Sequence, residues 1–179
     1  TRTSIEVFVN GELVERPVKE LDATISNASK GEYKHYMLKE IYEQPEAIQQ
    51  TISQALNGNT LRDDFLNHAN ADFDKIQQVQ IIACGTSYHA GMIAKYWFEQ
   101  LIGVPCQVEI ASEFRYRTPV IVANTLYICI SQSGETADTL AALRETQKRA
   151  KAQNLDITTM TICNVATSSM VRETDHHLL

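Results

Sequence analysis

Two short stretches carry the side chains with chemistry to offer: Cys84-Gly85-Thr86-Ser87 and Ser131-Gln132-Ser133-Gly134-Glu135-Thr136. Each joins an apolar run to a helical pattern, and each combines glycine with hydroxyls and lacks lysine and arginine. That set suits an anion. The first turn of a helix presents unpaired N–H groups and a partial positive charge, so it attracts an anion without any basic side chain. Each such terminus contributes roughly 0.3–1 kcal/mol, or about 2 kcal/mol when partly buried. Glycine lets the backbone approach, and hydroxyls donate to the anion's oxygens. Ser133 or Thr136 at a helix start is also an ordinary cap; two such loops meeting at one place favour a ligand over capping alone. Neither loop has the P-loop or G-x-G-x-x-G spacing, which disfavours a nucleotide. A small sugar phosphate fits both.

The surrounding pattern says which elements must hold these loops. Apolar strand runs VQIIA (79–83), CQVEIA (106–111), LYICI (126–130) and ITTMTICN (157–164) alternate with helical stretches at about 87–102 and 136–151. HHLL begins a fifth strand, and ASEFRYRT is a short polar connection with room for a helical turn. Strand-helix alternation with near-continuous apolar strands predicts an α/β fold, an open parallel five-stranded sheet with helices on both faces. In the flavodoxin-like order 2-1-3-4-5, strands one and three lie side by side, and ligands bind beyond their carboxyl ends. The two loops follow those two strands. Ile93, Tyr96, Trp97 and Leu101 make one apolar stripe on the first of these helices.

Upstream, IEVFV-NG-ELVE reads as a β-hairpin, because Asn-Gly supplies the two positive-φ positions of a tight turn. A lone hairpin is marginal in water, so it is expected to be a remnant of a larger sheet. Residues 35–57 are helical in pattern, with Pro45 expected to open a second helix and Ile48, Ile52 and Leu56 lining a buried face. Asn57-Gly58-Asn59-Thr60 is a turn, and a polar helical stretch leads to Ile76.

A net charge of −6 and a pI near 5.3 argue against nucleic-acid and anionic-membrane surfaces. No apolar run reaches the roughly 18 residues of a membrane span, and the start lacks a signal-peptide pattern. Cys84, Cys106, Cys129 and Cys163 have no zinc-site spacing. They read as free, mostly buried thiols of a cytoplasmic protein with no metal.

ACGTSYHAG, SQSGETADTL, EIASEFRYR and ICNVATSSMVRETD resemble the first sugar-isomerase (SIS) domain of the glucosamine-6-phosphate synthase family. HYMLKEIYEQP resembles that family's segment between its glutaminase and isomerase parts. The resemblance implies a glutaminase remnant at 1–34, linker helices at 35–70, and a first SIS domain at 71–179 cut near strand five. It implies a part in making glucosamine 6-phosphate and glutamate from fructose 6-phosphate and glutamine, in the cytoplasm, by a homodimer joined through the isomerase region. No cofactor is implied. The family's phosphate contacts fall on Ser87, Ser131, Gln132, Ser133 and Thr136, while Cys84, Gly85 and Thr86 fall on positions lining the sugar.

The family's cysteine nucleophile for glutamine hydrolysis, its isomerase base, its lysine and its ring-opening histidine match nothing here. The chain alone is therefore expected to bind a sugar phosphate without turnover. Alternatives in other classes are a phosphosugar-sensing regulatory module and a stand-alone phosphosugar isomerase; the linker resemblance weighs against both.

Other residues read more plainly. His176 and His177 are adjacent on a strand and point to opposite faces, so they do not share a ligand. His89 is a surface or packed histidine. Glu135 would repel a phosphate if it turned inward, so it is expected to point out. Glu113 and the SEFRYR arginines suit either a packed ion pair or a partner subunit. Arg144, Lys148, Arg149 and Lys151 form the wet face of their helix.

Overall fold

The computed structural model describes residues 6–15, 29–62 and 73–179. The chain divides into two compact units, Thr1–Gln54 and Ala55–Leu179.

In the first unit, β1 (Phe8–Val9) pairs antiparallel with β2 (Glu12–Leu13). Asn10 and Gly11 both adopt positive φ, at 53° and 86°, as the Asn-Gly turn demands. The helix α1 (Tyr36–Ala55) runs unbroken through Pro45, which corrects the expectation of two helices. Proline's fixed φ is itself helical; what the helix loses is one N–H donor and some room beside the carbonyl four residues back. No α1 residue is buried, so Ile48 and Ile52 do not line a core in this structure.

The second unit opens with a small hairpin, β3 (Leu56–Asn57) and β4 (Thr60–Leu61), around the expected turn. Most of the polar stretch expected before Ile76 lies outside the described residues, which resume with a 3-10 turn at Phe73–Lys75. The main sheet then forms from β5 (Gln78–Ala83), β6 (Cys106–Ile110), β7 (Thr125–Ile130), β8 (Ile157–Ile162) and β9 (His176–Leu178). All neighbours are parallel, as the alternation predicts, and the order β6-β5-β7-β8-β9 is the flavodoxin-like 2-1-3-4-5 assumed above.

Alternate strand residues serve opposite faces. Ile82, Tyr127 and Cys129 pack with α3 (Ala111–Tyr116), α4 (Ala137–Ala152) and α5 (Ser169–Glu173), through Phe114, Leu140, Leu143 and Met170. Val79, Ile81, Leu126, Ile128 and Met160 form the core of the other face, joined by Ala94 of α2 (Gly85–Trp97) and by Phe98 just beyond it. Each aliphatic side chain so buried stabilises the fold by roughly 1.5–3 kcal/mol. α2 lies close to the sheet at Gly91, where an added Cβ would stand 2.9 Å from Ile81 Cγ2. Contact through Gly91, Ala94 and Phe98 turns Ile93, Tyr96, Trp97 and Leu101 outward, so that apolar stripe is exposed.

Candidate functional site

The register of β5 against β7 brings the two loops together. Ala83 pairs with Ile130 at the carboxyl end of both strands, so the next residues, Cys84 and Ser131, leave the sheet side by side. From there β5 connects through α2 to β6 on one side, while β7 connects through α4 to β8 on the other. The crevice between diverging connections is where open α/β sheets bind ligands. Because α2 and α4 cover opposite faces, their first turns approach the crevice from its two flanks.

The first loop is short. Cys84 is extended and occupies the N-cap of α2 without a side-chain capping bond. Gly85 starts the helix at φ 56°, a conformation that disfavours any side chain. Thr86 is exposed and Ser87 half-buried in the first turn.

The second loop is wound more tightly. Ser131 is buried; its N–H donates to the Ile162 carbonyl at 3.0 Å and its carbonyl accepts the Gly134 N–H at 3.3 Å. Its hydroxyl oxygen also accepts from Gly134 N at 3.2 Å and lies 2.8 Å from the Thr136 hydroxyl. A buried O–H without an acceptor is costly, and Thr136 Oγ1 is the acceptor in reach. Donation from Ser131 to Thr136 satisfies that proton, and in that arrangement the Thr136 proton is available to a group outside the loop. Ser133 Oγ accepts the Glu135 N–H at 3.2 Å, which likewise leaves its proton free to donate outward. Gln132 is exposed at the rim. Thr136 stands at the N-cap of α4, yet its side chain makes no capping bond, so the first-turn N–H groups of both helices are left uncapped by side chains. Ordinary capping does not explain either loop.

A third segment, invisible as a site in the sequence, braces the second loop. Asn164 N donates to the Gln132 carbonyl at 3.0 Å, and Met170 N donates to the Gly134 carbonyl at 3.2 Å. Gly134 has φ 65° and lies directly against Ser168, whose hydroxyl caps α5 by accepting from Val171 N. Glu135 is exposed and turns its carboxylate to the segment after β8, where it accepts the Ser169 N–H at 2.6 Å. The Ser169 amide, then its hydroxyl, and the nearby Arg172 guanidinium hold that carboxyl below the usual carboxylate range. The one sequence signal for this brace is a serine just ahead of a short helical pattern, the mark of an N-cap.

The remaining side chains take structural positions. Arg115 of α3 pairs with Asp138 in the first turn of α4 at 2.8 Å, and Arg117 grips Glu109 with two guanidinium nitrogens. These are ion pairs within the chain, as the first of the two expected uses has it, but they lie at the surface rather than packed. Arg144 ties α4 to Glu173 of α5 at 2.6 Å, and Arg149 pairs with Glu145. His89 is exposed, edge-on to Tyr88. His176 tilts against Phe73 in β9. Asp175, not singled out in the sequence, receives both the N–H and the hydroxyl of Thr159 and anchors the start of β9.

All four cysteines are free, and all but half-buried Cys84 are buried. Burial pushes the thiols of Cys106 and Cys129 up to about 11 and about 12. No cluster of metal-binding side chains occurs among the described residues, and none of the described helices is long and apolar enough to cross a membrane.

The chain is 86% identical over its whole length to a glutamine–fructose-6-phosphate aminotransferase (isomerizing) of Acinetobacter baylyi, of which it covers 29%. It is 50% identical to the protein of the same name from Pseudomonas aeruginosa, over 99% of this chain and 29% of that one. The chain thus spans less than a third of the length of these curated relatives. Among solved structures, the C-terminal domain of glucosamine-fructose-6-phosphate aminotransferase from Francisella tularensis superposes with a TM-score of 0.75 at 51% identity, over 84% of this chain and 41% of that one. The family model of the SIS domain matches residues 72–179, the span that holds the five-stranded sheet and both loops, and the chain belongs to that family.

Proposed function

We propose that this chain is a segment of an enzyme that makes glucosamine 6-phosphate and glutamate from fructose 6-phosphate and glutamine, and that its part is to hold the sugar phosphate. The carrying observation is the Ala83–Ile130 register, which brings two side-chain-uncapped helix starts to one crevice. The names of the relatives at 86% and 50% identity supply the reaction.

The phosphate lies across the crevice. It takes N–H groups from the first turns of α2 and α4 and O–H groups from Ser87, Ser133 and Thr136, with Ser131 acting through Thr136 and Gln132 closing the rim. Cys84, Gly85 and Thr86 line the sugar. None of these groups abstracts a proton from the sugar; the groups that act on its carbonyl end belong to other parts of the enzyme. In this reading residues 1–34 close a glutaminase domain, 35–70 form the linker and 71–179 the first SIS domain of a cytoplasmic homodimer.

The test is a calorimetric titration of fructose 6-phosphate into the full-length protein, wild type against Ser133→Ala/Thr136→Val. Removing two donors to a charged group should cost about 3–6 kcal/mol of binding. Unchanged affinity overturns the proposal.

A further inference from the structure

We propose that Glu135 is a positioning residue for the phosphate loop: its carboxylate, bonded to the Ser169 N–H, fixes Ser133 to Thr136 against the segment after β8. The inference rests on the sugar-phosphate reading for its consequence, not for its geometry. Glu135 is held at both ends. Its own N–H is bonded to Ser133 Oγ at 3.2 Å, and its carboxylate reaches Ser169 N at 2.6 Å. Ser133, two positions before it, and Thr136, directly after it, are the hydroxyls read above as donors to the crevice. Beside it, Gly134 accepts Met170 N and contacts Ser168, so the carboxylate bond completes a row of ties between two loops that follow neighbouring strands.

An acidic side chain beside an anion site is a liability, since its charge opposes the ligand's. Here the carboxylate faces Ser169 and, by long-range attraction, Arg172, so its charge is engaged by groups of α5. The loop gains an anchor. A glutamine keeps a carbonyl oxygen that accepts the Ser169 N–H, whereas an alanine leaves the loop tied only through its backbone.

The experiment uses the full-length protein as wild type, Glu135→Ala and Glu135→Gln, with Glu173→Gln as a variant that weakens the α4–α5 ion pair without touching the loop. Amide hydrogen exchange of residues 131–136 reads the anchor directly. Exchange there should quicken about tenfold in Glu135→Ala and stay near wild type in Glu135→Gln and Glu173→Gln. The Kd for fructose 6-phosphate should weaken by about tenfold in Glu135→Ala alone. Reversible unfolding would weaken the apparent Kd tenfold only with about nine-tenths of the protein unfolded, and exchange would then quicken throughout the chain rather than in residues 131–136. Exchange unchanged in Glu135→Ala overturns the anchor, as does Glu135→Gln behaving like Glu135→Ala. Faster exchange with an unchanged Kd overturns the positioning role. If wild type itself ignores fructose 6-phosphate, the proposed function fails, while the exchange measurement still decides the anchor.

Discussion

A Cβ placed on Gly134 would stand 2.2 Å from the Ser168 hydroxyl oxygen and 2.4 Å from the Ser168 Cβ. Both atoms belong to a short side chain at the start of α5 that cannot swing away without losing its cap. Gly134 also has φ 65°, which costs a side-chain residue roughly 1–2 kcal/mol. Gly134→Ala should therefore destabilise by about 2–4 kcal/mol in denaturant unfolding. Ser168→Gly removes the clashing atoms, so the double variant should be less destabilised than the two single losses added together. Strict additivity would mean that the two residues do not press on each other.

The Ser131–Thr136 pair makes a second double-variant prediction. Thr136→Val strands the buried Ser131 proton and should cost about 1–3 kcal/mol of stability. Adding Ser131→Ala removes the stranded group, so the double variant should recover part of that loss. A double variant as unstable as the sum would place the Ser131 proton elsewhere.

The loops were legible in the sequence because their signals are local: glycine, hydroxyls and a strand-to-helix switch within a few residues. Alternation announced a parallel sheet, while the order β6-β5-β7-β8-β9 was legible only by analogy with the flavodoxin-like arrangement. What could not be read was contact between segments distant in the chain. The Ser168–Gly134 and Glu135–Ser169 contacts each join residues 34 positions apart, across two loops that only the β7–β8 register aligns. Pro45 misled because proline usually opens a helix, yet its φ also fits one already formed. Ile93, Tyr96, Trp97 and Leu101 form a stripe that periodicity detects, but periodicity does not say which stripe meets the sheet. Small Gly91 and Ala94 decide that by allowing closer approach.

Thiol chemistry separates the four cysteines. Cys84 is half-buried and next to the crevice, while Cys106, Cys129 and Cys163 are buried. With the Cys106 and Cys129 thiols pushed up to about 11 and about 12, both stay protonated at pH 8 as well as enclosed. A disulfide reagent should label Cys84 first in the native protein, and fructose 6-phosphate should slow that labelling. Fast labelling at Cys106 or Cys129 would contradict their enclosure.

The Arg144–Glu173 pair gives a pH signature. Its hydrogen bond to Arg144 draws the Glu173 carboxyl below its ordinary value of 4.5. A group depressed in the folded state contributes stability above its unfolded pKa and loses it as the pH falls through the folded pKa. Arg144 is largely exposed, so the contribution is small. Wild type should thus unfold at a slightly higher temperature than Glu173→Gln at neutral pH, and the gap should close as the pH drops below 4.5. A gap that widens in acid would reverse the sign.

The central claim is that two helix starts, one on each side of the β5–β7 crevice, bind a single phosphate. Amide NMR during a titration with fructose 6-phosphate, run in parallel with fructose, tests it most directly. The backbone N–H signals of Gly85–Ser87 and of Ala137–Thr139 should move together along one saturation curve with the phosphorylated sugar and stay in place with fructose. Movement of only one set, or equal movement with both sugars, would contradict the shared cradle.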